Sequence, residues 1–322
     1  MERRHMTESE RSQLAKMARQ YYMEDLPLRE IAERFNVSVA TVSRSLSRAR
    51  REGIVEISIR DAHPGFGSLE SQIEATFGIR ECSVIQSHPV ISDIYLDMAD
   101  VIGNVLCRVL ESGAILGVSW GETLRAIGSD LRVSGLKGVS VIPVIGAMGT
   151  IETGIFPNSI AKSFADKLGG VSYLVNAPMI LDSLQVRDSV TKDRNLSTVM
   201  KMWEKVDVAI LSVSGLGPES SVARFGVFSA EELALLRSLG VVCLTNFSML
   251  DVRGNLVSND FSDRIINLNV ERLKSMRNVI IVACGAEKTQ ATHAALLSGF
   301  VDILVVDEKT AISLVQLAGA KN

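Results

Sequence analysis

The chain has 322 residues, of which 47% are hydrophobic, and a net charge of −3 at pH 7. This length and apolar content permit a large core and predict two domains. No apolar run reaches the roughly 18 residues of a membrane span, and MERRHMTESERS lacks the apolar centre of a signal peptide. Both observations predict a cytoplasmic protein. Residues 1–60 carry +3 and the remainder −6, so only the N-terminal part has an electrostatic reason to meet nucleic acid.

The first sixty residues predict three helices. Residues 8–25 place Leu14, Met17, Ala18, Tyr21 and Tyr22 on one inward stripe. The stretch LREIAERFNVSVATVSRSLSRARR, residues 28–51, then predicts two short amphipathic helices joined by a tight turn. Asn36 stands where the turn needs a positive φ, and Ser38 is expected to cap the second helix. This is a helix-turn-helix pattern.

The outward face of the second of these two helices predicts DNA binding. It carries four arginines, and residues 38–51 contain no acidic side chain. Short polar side chains near its start suit base edges, and arginines suit either guanine or phosphate. Tyr22 offers a hydroxyl to the DNA backbone, although core packing is the alternative for one tyrosine of the pair. An ordinary helical hairpin with a solvated basic face is the competing interpretation. The predicted DNA-binding residues are Tyr22, Ser38, Ala40, Thr41, Ser43, Arg44 and Arg48.

A domain boundary is expected shortly after this helix. Gly53 is predicted to end it, and the alternating residues 54–60 suggest a short strand or wing. Residues 61–68, DAHPGFGS, are rich in Pro and Gly and lack periodicity, which is typical of a hinge. We therefore predict a DNA-binding domain at 1–60, a linker at 61–68 and a second domain at 69–322.

The second domain alternates between helical and strand patterns. Strands are predicted at 82–86, 114–119, 139–144, 172–175, 208–213, 241–245, 279–283 and 303–306, with helices between them, one of them spanning residues 188–205. Runs such as VDVAILSV and NVIIVAC are apolar at every position, as a parallel sheet covered on both faces requires. The predicted fold class is therefore an all-α helix-turn-helix domain followed by a doubly wound, mostly parallel α/β domain.

Ligands of such domains bind at the carboxyl ends of the strands, beside helix N-termini. SWGETL follows one strand directly, and its hydroxyls and amides suit a phosphate or a sugar, although the same pattern also caps a helix. Lys288 at another helix start opposes the helix dipole, which a bound anion would explain, while a solvated lysine is the alternative. The predicted effector-binding residues are Ser119, Gly121, Thr123, Gly146, Asn158, Gly215, Gly217 and Lys288.

The cysteines do not predict chemistry of their own. Cys82, Cys107, Cys243 and Cys284 lie far apart, three of them in apolar runs, with no CxxC motif and no nearby histidine pair. They are expected to be buried free thiols rather than disulfides or zinc ligands. No placed titratable pair for acid-base work is identifiable either. We expect no catalytic residue, no metal and no cofactor.

The paired tyrosines, the helix-turn-helix, SWGETL, PN, GLG and the closing ACGAEKTQATHAALLSGFVDILVVDEKTA together resemble the SorC family of bacterial sugar-responsive regulators. The resemblance covers nearly the whole chain, and the closing stretch is its most specific part. It implies an effector domain of the phosphosugar-isomerase and deaminase type, in tetramers that release or rearrange on operators when a sugar phosphate binds. It also implies that Ser119, Gly121 and Thr123 hold the phosphate and that Lys288 approaches it.

One position departs from the family pattern, and one rival function must be weighed. Leu244 stands where such proteins often carry an acidic residue, which leaves the sugar-hydroxyl contacts open. The rival is a phosphosugar isomerase or deaminase, but Gly217 is followed by PESS rather than the Asp-Gly-His of the deaminases, and His293 is expected to pack. A DNA-organising protein without a ligand would not need so large an α/β domain.

We therefore expect a ligand-controlled transcription factor, a repressor, for carbohydrate or polyol metabolism. Its expected partners are double-stranded operator DNA, a phosphorylated sugar or polyol, and further copies of itself in a homodimer or homotetramer. A single module of this size reads DNA with little specificity, whereas dimers read paired half-sites. No membrane is among the expected partners.

Overall fold

A computed structural model describes residues 8–55, 65–147 and 155–319. The chain divides into two compact units, Met1–Pro64 and Gly65–Asn322. None of the helices in the described ranges combines the length and apolar character that crossing a bilayer requires. The predicted wing lies largely outside the described residues, as do residues 61–64 of the predicted linker. The other end of that linker is helical, because Gly67 and Ser68 form the first turn of a helix.

The N-terminal unit is a three-helix arrangement. Its helices are α1 (Glu8–Tyr22), α2 (Leu28–Phe35) and α3 (Val39–Arg51). Their buried faces form one apolar cluster that includes Ile31, Ala32 and Val42. Asn36 has φ 52° and ends α2, while the Ser38 side chain accepts a hydrogen bond from the Thr41 N–H at the start of α3. The turn and the cap therefore form as the sequence predicts.

The C-terminal unit alternates helices and strands. Its strands are β1 (Glu81–Ile85), β2 (Ile115–Val118), β3 (Ser140–Pro143), β4 (Val171–Ser172), β5 (Val208–Ser214), β6 (Cys243–Thr245), β7 (Ser248–Leu250), β8 (Val279–Ala283) and β9 (Ile303–Asp307). Its helices are α4 (Gly67–Phe77), α5 (Ile91–Val109), α6 (Glu122–Asp130), α7 (Pro157–Leu168), α8 (Leu184–Val190), α9 (Arg194–Trp203), α10 (Ser221–Arg224), α11 (Ala230–Ser238), α12 (Val270–Lys274), α13 (Thr289–Leu297) and α14 (Glu308–Gly319). Short 3-10 turns lie at Ser262–Arg264 and Ala286–Lys288.

These strands form a mostly parallel sheet in the order β1-β9-β8-β5-β2-β3-β4, which confirms the predicted fold class. From β2 the chain adds β3 and β4 on one side and then returns to place β5 on the other. The direction of strand addition thus reverses between β2 and β5. In open α/β sheets ligands bind in the crevice at such a reversal, beyond the carboxyl ends of the strands.

Strand β5 shows why both faces of the sheet are apolar. Val208 and Ile210 belong to one apolar cluster, whereas Ala209 and Leu211 belong to a second cluster. Successive side chains of a strand point to opposite faces, so a central strand with helices above and below needs an apolar residue at every position. The continuous apolar runs of the sequence are explained by this burial.

The structure corrects two predicted elements. The helix expected at residues 188–205 is two helices, α8 and α9, because the Asp193 side chain accepts from the N–H groups of Asn195 and Leu196 and caps a new helix. The strand expected at 241–245 is half of a hairpin, in which β6 and β7 pair antiparallel around Asn246 and Phe247. Both of these residues have positive φ, 47° and 58°, as a two-residue type I′ turn requires.

The cysteines follow the prediction with one exception. Cys82, Cys243 and Cys284 are buried free thiols, whereas Cys107 is exposed. Cys107 lies near the end of α5, and its sulfur is 3.7 Å from the Ser134 carbonyl oxygen. The expectation that every cysteine is buried is therefore wrong for Cys107.

Candidate functional site

The first candidate site is the outward face of α3. Ser38, Ala40, Ser43 and Arg44 are exposed, and Thr41 and Arg48 are half-buried. Hydroxyl oxygens of Ser38 and Thr41 lie 2.8 Å apart, so the cap and its neighbour already bond to one another. The Arg44 Nε donates to the Ala40 carbonyl, which leaves the rest of the guanidinium to face outward. The helix thus presents short polar groups at its start and arginines beyond them.

The two tyrosines of α1 divide between packing and exposure. Their rings meet edge to face, with centroids 4.9 Å apart. Tyr22, which was predicted to contact DNA, is half-buried against the three-helix core, whereas Tyr21 is 37% exposed. The structure therefore gives Tyr22 a packing role and leaves the hydroxyl of Tyr21 more accessible. Sequence alone could not tell the two apart, because adjacent helical residues point about 100° apart and both flank the apolar stripe.

The second candidate site is a pocket of about 250 Å³ in the C-terminal unit. It lies where the chain leaves β2, β5 and β8, which are neighbours in the sheet. Its lining includes four residues that were predicted from the sequence, namely Thr123, Gly215, Gly217 and Lys288. A small recess continues from it towards Trp120, Gly121 and Leu244. We call this pocket with its recess the effector pocket.

The start of α6 forms the floor of the effector pocket. Gly121 has φ 119°, a backbone conformation that residues other than glycine rarely adopt. It lies at the turn from β2 into the helix. A glycine at this position supplies no side-chain cap. Amide groups of the first helical turn have no intrahelical acceptor, and they carry the positive end of the helix dipole. This floor is suited to an anion.

Thr123 and Lys288 meet at this floor. The Lys288 Nζ donates to the Thr123 Oγ1 at 3.1 Å, and Tyr95 lines the pocket beside the same threonine. Thr123 is 1% exposed. Residues from α6, α5 and the 3-10 turn after β8 thus converge at Thr123, and Lys288, which was predicted at a helix start, is the N-cap residue of α13.

Burial lowers the pKa of Lys288, since the ammonium loses water contacts in the pocket wall. The negative charges of Glu287, Glu122 and Asp307 oppose this shift by favouring the ammonium form. Burial likewise raises the pKa of Tyr95, so its hydroxyl remains neutral. An anion beside Lys288 would compensate for the lost hydration.

The loop after β5 forms the facing wall. Its course is held by the Arg237 guanidinium, which donates to the Leu216 carbonyl, and by Ser220, whose hydroxyl and N–H both donate to the Gly217 carbonyl. At its end Arg224 makes a two-pronged ion pair with Glu122, with N–O distances of 2.9 and 3.2 Å. This pair joins the loop to the start of α6.

Three predicted effector residues do not line the effector pocket. Ser119 is 1% exposed, and its hydroxyl donates to the side-chain oxygen of Asn246 inside the protein. Gly146 is a packing position, since a Cβ there would lie 2.6 Å from the Met179 Cα. Asn158 uses its side-chain amide to pair with the backbone of Val175. Each therefore has a structural role that the sequence pattern did not reveal. Residues 148–154, between Gly146 and Asn158, lie outside the described residues.

The sequence prediction missed several pocket residues. Tyr95, Glu122, Arg224 and Glu287 all line the effector pocket. Glu122 and Arg224 are 102 residues apart, so no local pattern could pair them. Glu122 was nevertheless visible as the one charged residue in SWGETL.

The histidine that the rival enzyme interpretation considered lies outside this pocket. His293 is 3% exposed and meets the ring of Phe77 edge to face, at 5.5 Å between centroids. Among the described residues that line the pocket and its recess there is no histidine. The described residues also contain no cluster of three side chains that could hold a metal ion.

Comparisons with known proteins bear on both units. Residues 65–316 match the family model described as "Putative sugar-binding domain", and residues 20–52 match region 4 of sigma-70 factors. The deoxyribonucleoside regulator of Bacillus subtilis (strain 168) is 30% identical over 310 residues, which cover 95% of this chain and 98% of that protein. The sorbitol operon regulator of Klebsiella pneumoniae is 28% identical over 92% of this chain and 96% of its own length.

A solved structure agrees with these relatives over both units. The crystal structure of full-length SorC from Klebsiella pneumoniae matches with a TM-score of 0.73 and 26% identity, covering 95% of this chain and 99% of that one. A sugar-binding domain that follows a helix-turn-helix is the architecture of a regulator whose DNA binding responds to a ligand. The chain belongs to the SorC-type family of sugar-responsive transcriptional regulators.

Proposed function

We propose that the effector pocket binds a phosphorylated sugar or polyol and that this ligand controls operator binding by α3. The observation that carries the proposal is the meeting of Lys288 and Thr123 at the N-terminal end of α6. A phosphate there gains free helix amides, a hydroxyl and an ammonium, and charge-assisted hydrogen bonds of this kind are roughly twice as strong as neutral ones. Gly215 and Gly217 allow the facing backbone to approach it closely.

The relatives support a polyhydroxylated ligand. One is named for the sorbitol operon and another for deoxyribonucleosides. In this chain Leu244 lies at the recess and is 3% exposed. Its apolar side chain cannot accept bonds from sugar hydroxyls, so the carboxylates around the pocket that can do so are those of Glu122, Glu219 and Glu287.

The remaining parts of the proposal concern the whole regulator. We propose a repressor that acts in the cytoplasm as a homodimer or homotetramer, because a pair of α3 helices is needed to read two half-sites with useful specificity. A phosphosugar isomerase or deaminase is the alternative. It predicts turnover of hexose phosphates that proton NMR would detect.

A thermal-shift screen tests the ligand class. Sorbitol 6-phosphate and 2-deoxyribose 5-phosphate would be compared with their unphosphorylated counterparts. At a hundred times its Kd a ligand stabilises the folded protein by about 2.7 kcal/mol, so a true effector raises the melting temperature clearly. The phosphorylated member of a pair is expected to act at lower concentration.

Two substitutions then connect the ligand to operator binding. Thr123→Val keeps the side-chain shape but removes the hydroxyl, and Lys288→Ala removes the charge. Both variants should bind operator DNA as the native protein does in a gel-shift titration and should lose their response to the phosphorylated effector. Native effector affinity in both variants, measured by calorimetry, would refute the assignment of the phosphate to this pocket.

A further inference from the structure

Glu122 and Arg224 form a two-pronged ion pair inside the proposed effector pocket. Both side chains line it, and they are only partly shielded from water, at 31% and 49% exposure. Glu122 is the first residue of α6 and stands directly before Thr123. Arg224 therefore reaches across the pocket to the place where the helix amides and Thr123 favour an anion.

Other charged residues line the pocket around this ion pair. Among the described lining residues, Arg224 and Lys288 are positive, while Glu122, Glu219 and Glu287 are negative. Glu122 also acts on Lys288 electrostatically, so one carboxylate influences both cations. A dianionic phosphate therefore meets a pocket in which Arg224 is already paired with Glu122, whereas Lys288 is hydrogen bonded to Thr123 and is influenced by the Glu122 charge.

We infer that Arg224 is a further effector-binding residue and that Glu122 competes with the effector's anionic group for it. The inference rests on the proposed function. An arginine binds the oxygens of phosphate and carboxylate with the same two-pronged geometry, so the two anions are alternatives for one guanidinium. Glu122 thus sets how strongly an anion must bind before it replaces the internal carboxylate.

If the pair of Glu122 and Arg224 has a purely structural role, the expected effect of a Glu122 substitution on anion binding is opposite to that expected from competition. If Glu122 only positions Arg224, neutralising Glu122 weakens anion binding, because the guanidinium is no longer held in place. If Glu122 competes, the same change strengthens anion binding, because it removes both a repulsive charge and a rival acceptor. The sign of one substitution therefore separates the two roles.

The experiment uses the full chain with inorganic phosphate as the probe, titrated by calorimetry at constant ionic strength. Glu122→Gln should bind phosphate about fivefold more tightly than the native protein, and Arg224→Met about fivefold more weakly. In the Arg224→Met background, Glu122→Gln should strengthen phosphate binding by less than about fivefold, because it still removes a repulsive charge but no longer frees a guanidinium. Arg224→Lys keeps the charge without the two-pronged geometry and should fall between the native protein and Arg224→Met.

A second ion pair of the same chemistry supplies the control. Arg108 donates two hydrogen bonds to Glu81 away from the effector pocket. Glu81→Gln should leave phosphate affinity unchanged. Equal or weaker phosphate binding by Glu122→Gln, in a native protein that binds phosphate, would overturn the inference alone. A native protein that binds neither inorganic phosphate nor any phosphorylated sugar or polyol would overturn the proposed function together with the inference.

Discussion

At the scale of single residues, Lys288 links effector binding to pH. Burial holds its pKa below the ordinary 10.5, and a bound phosphate would raise the pKa by restoring a partner for the ammonium. The affinity for phosphate is then fully present below the pKa that Lys288 has in the unbound protein. It declines as the pH rises through that lowered pKa. At a pH between the Lys288 pKa values of the unbound and the phosphate-bound protein, phosphate binding takes up protons.

Calorimetry in two buffers with different ionisation enthalpies measures this proton uptake directly. Native protein should take up protons on binding phosphate at alkaline pH, and Lys288→Met should not. Lys162→Met is a matched control, since Lys162 is exposed on α7 and pairs with Asp166. Identical proton uptake by native protein and Lys288→Met would rule out the proposed contact with the anion.

Arg44 and Arg48 lie one helical turn apart on α3, and both are expected to contact DNA. Replacing Arg44 with Ala should weaken operator binding by about 1–3 kcal/mol if it reads a base. If Arg48 contacts a phosphate, replacing it with Ala should weaken binding to all DNA sequences alike. The slope of log affinity against log salt should then fall by about one. Gel-shift titrations at several salt concentrations distinguish these outcomes.

Arg125→Ala controls for the loss of one positive charge, because Arg125 is exposed in the C-terminal unit. It should leave operator affinity unchanged. If Arg44→Ala and Arg48→Ala both bind the operator as native protein does, α3 is not the recognition helix.

At the scale of elements, the hairpin of β6 and β7 is held by one buried amide. The side-chain nitrogen of Asn246 donates to the carbonyls of Val144 and Leu268, and its oxygen accepts from Ser119. Phe247 follows with φ 58°, a strained conformation for a bulky residue, and its ring packs 5.3 Å from that of Trp120. The packing of this turn offsets the strain of its backbone.

Ser119→Ala tests whether Ser119 serves this hairpin or the ligand. The change leaves the buried oxygen of Asn246 without its hydroxyl donor, which should lower the free energy of unfolding by about 1–3 kcal/mol. Phosphate affinity should stay within about twofold of the native value. Ser129→Ala removes an exposed hydroxyl and should change neither quantity. If Ser119→Ala weakened phosphate binding without changing the free energy of unfolding, Ser119 would instead belong to the effector site.

These elements also show how far sequence patterns reach. The parallel sheet and the helix-turn-helix were predictable because they follow from local periodicity, as in the apolar run of β5 and the turn at Asn36. Glycine and hydroxyl residues after β2 and β5 marked the pocket for the same reason. Ser119 shares that pattern but bonds to Asn246, and Asn158, at the start of α7, bonds to the backbone of Val175. The pairing of Glu122 with Arg224 depends on how two strands come together. Contacts between residues far apart in sequence leave no periodic signal.

At the scale of the whole molecule, the proposed function requires an even number of chains. A single helix-turn-helix buries too little surface to select one operator among many competing sites, whereas two copies related by a two-fold axis read half-sites about one turn of DNA apart. The unit Met1–Pro64 carries a single α3, so a second α3 must come from another chain. The protein is therefore expected to form a homodimer or homotetramer.

Multi-angle light scattering at micromolar concentration should give a mass of two or four times 34.9 kDa. The same measurement on the operator complex should give an even number of chains per DNA duplex. Adding the phosphorylated effector is expected to change the operator-bound fraction or the stoichiometry, and Lys288→Ala should abolish that change while keeping the native mass. A monomeric mass with and without operator would contradict recognition of paired half-sites.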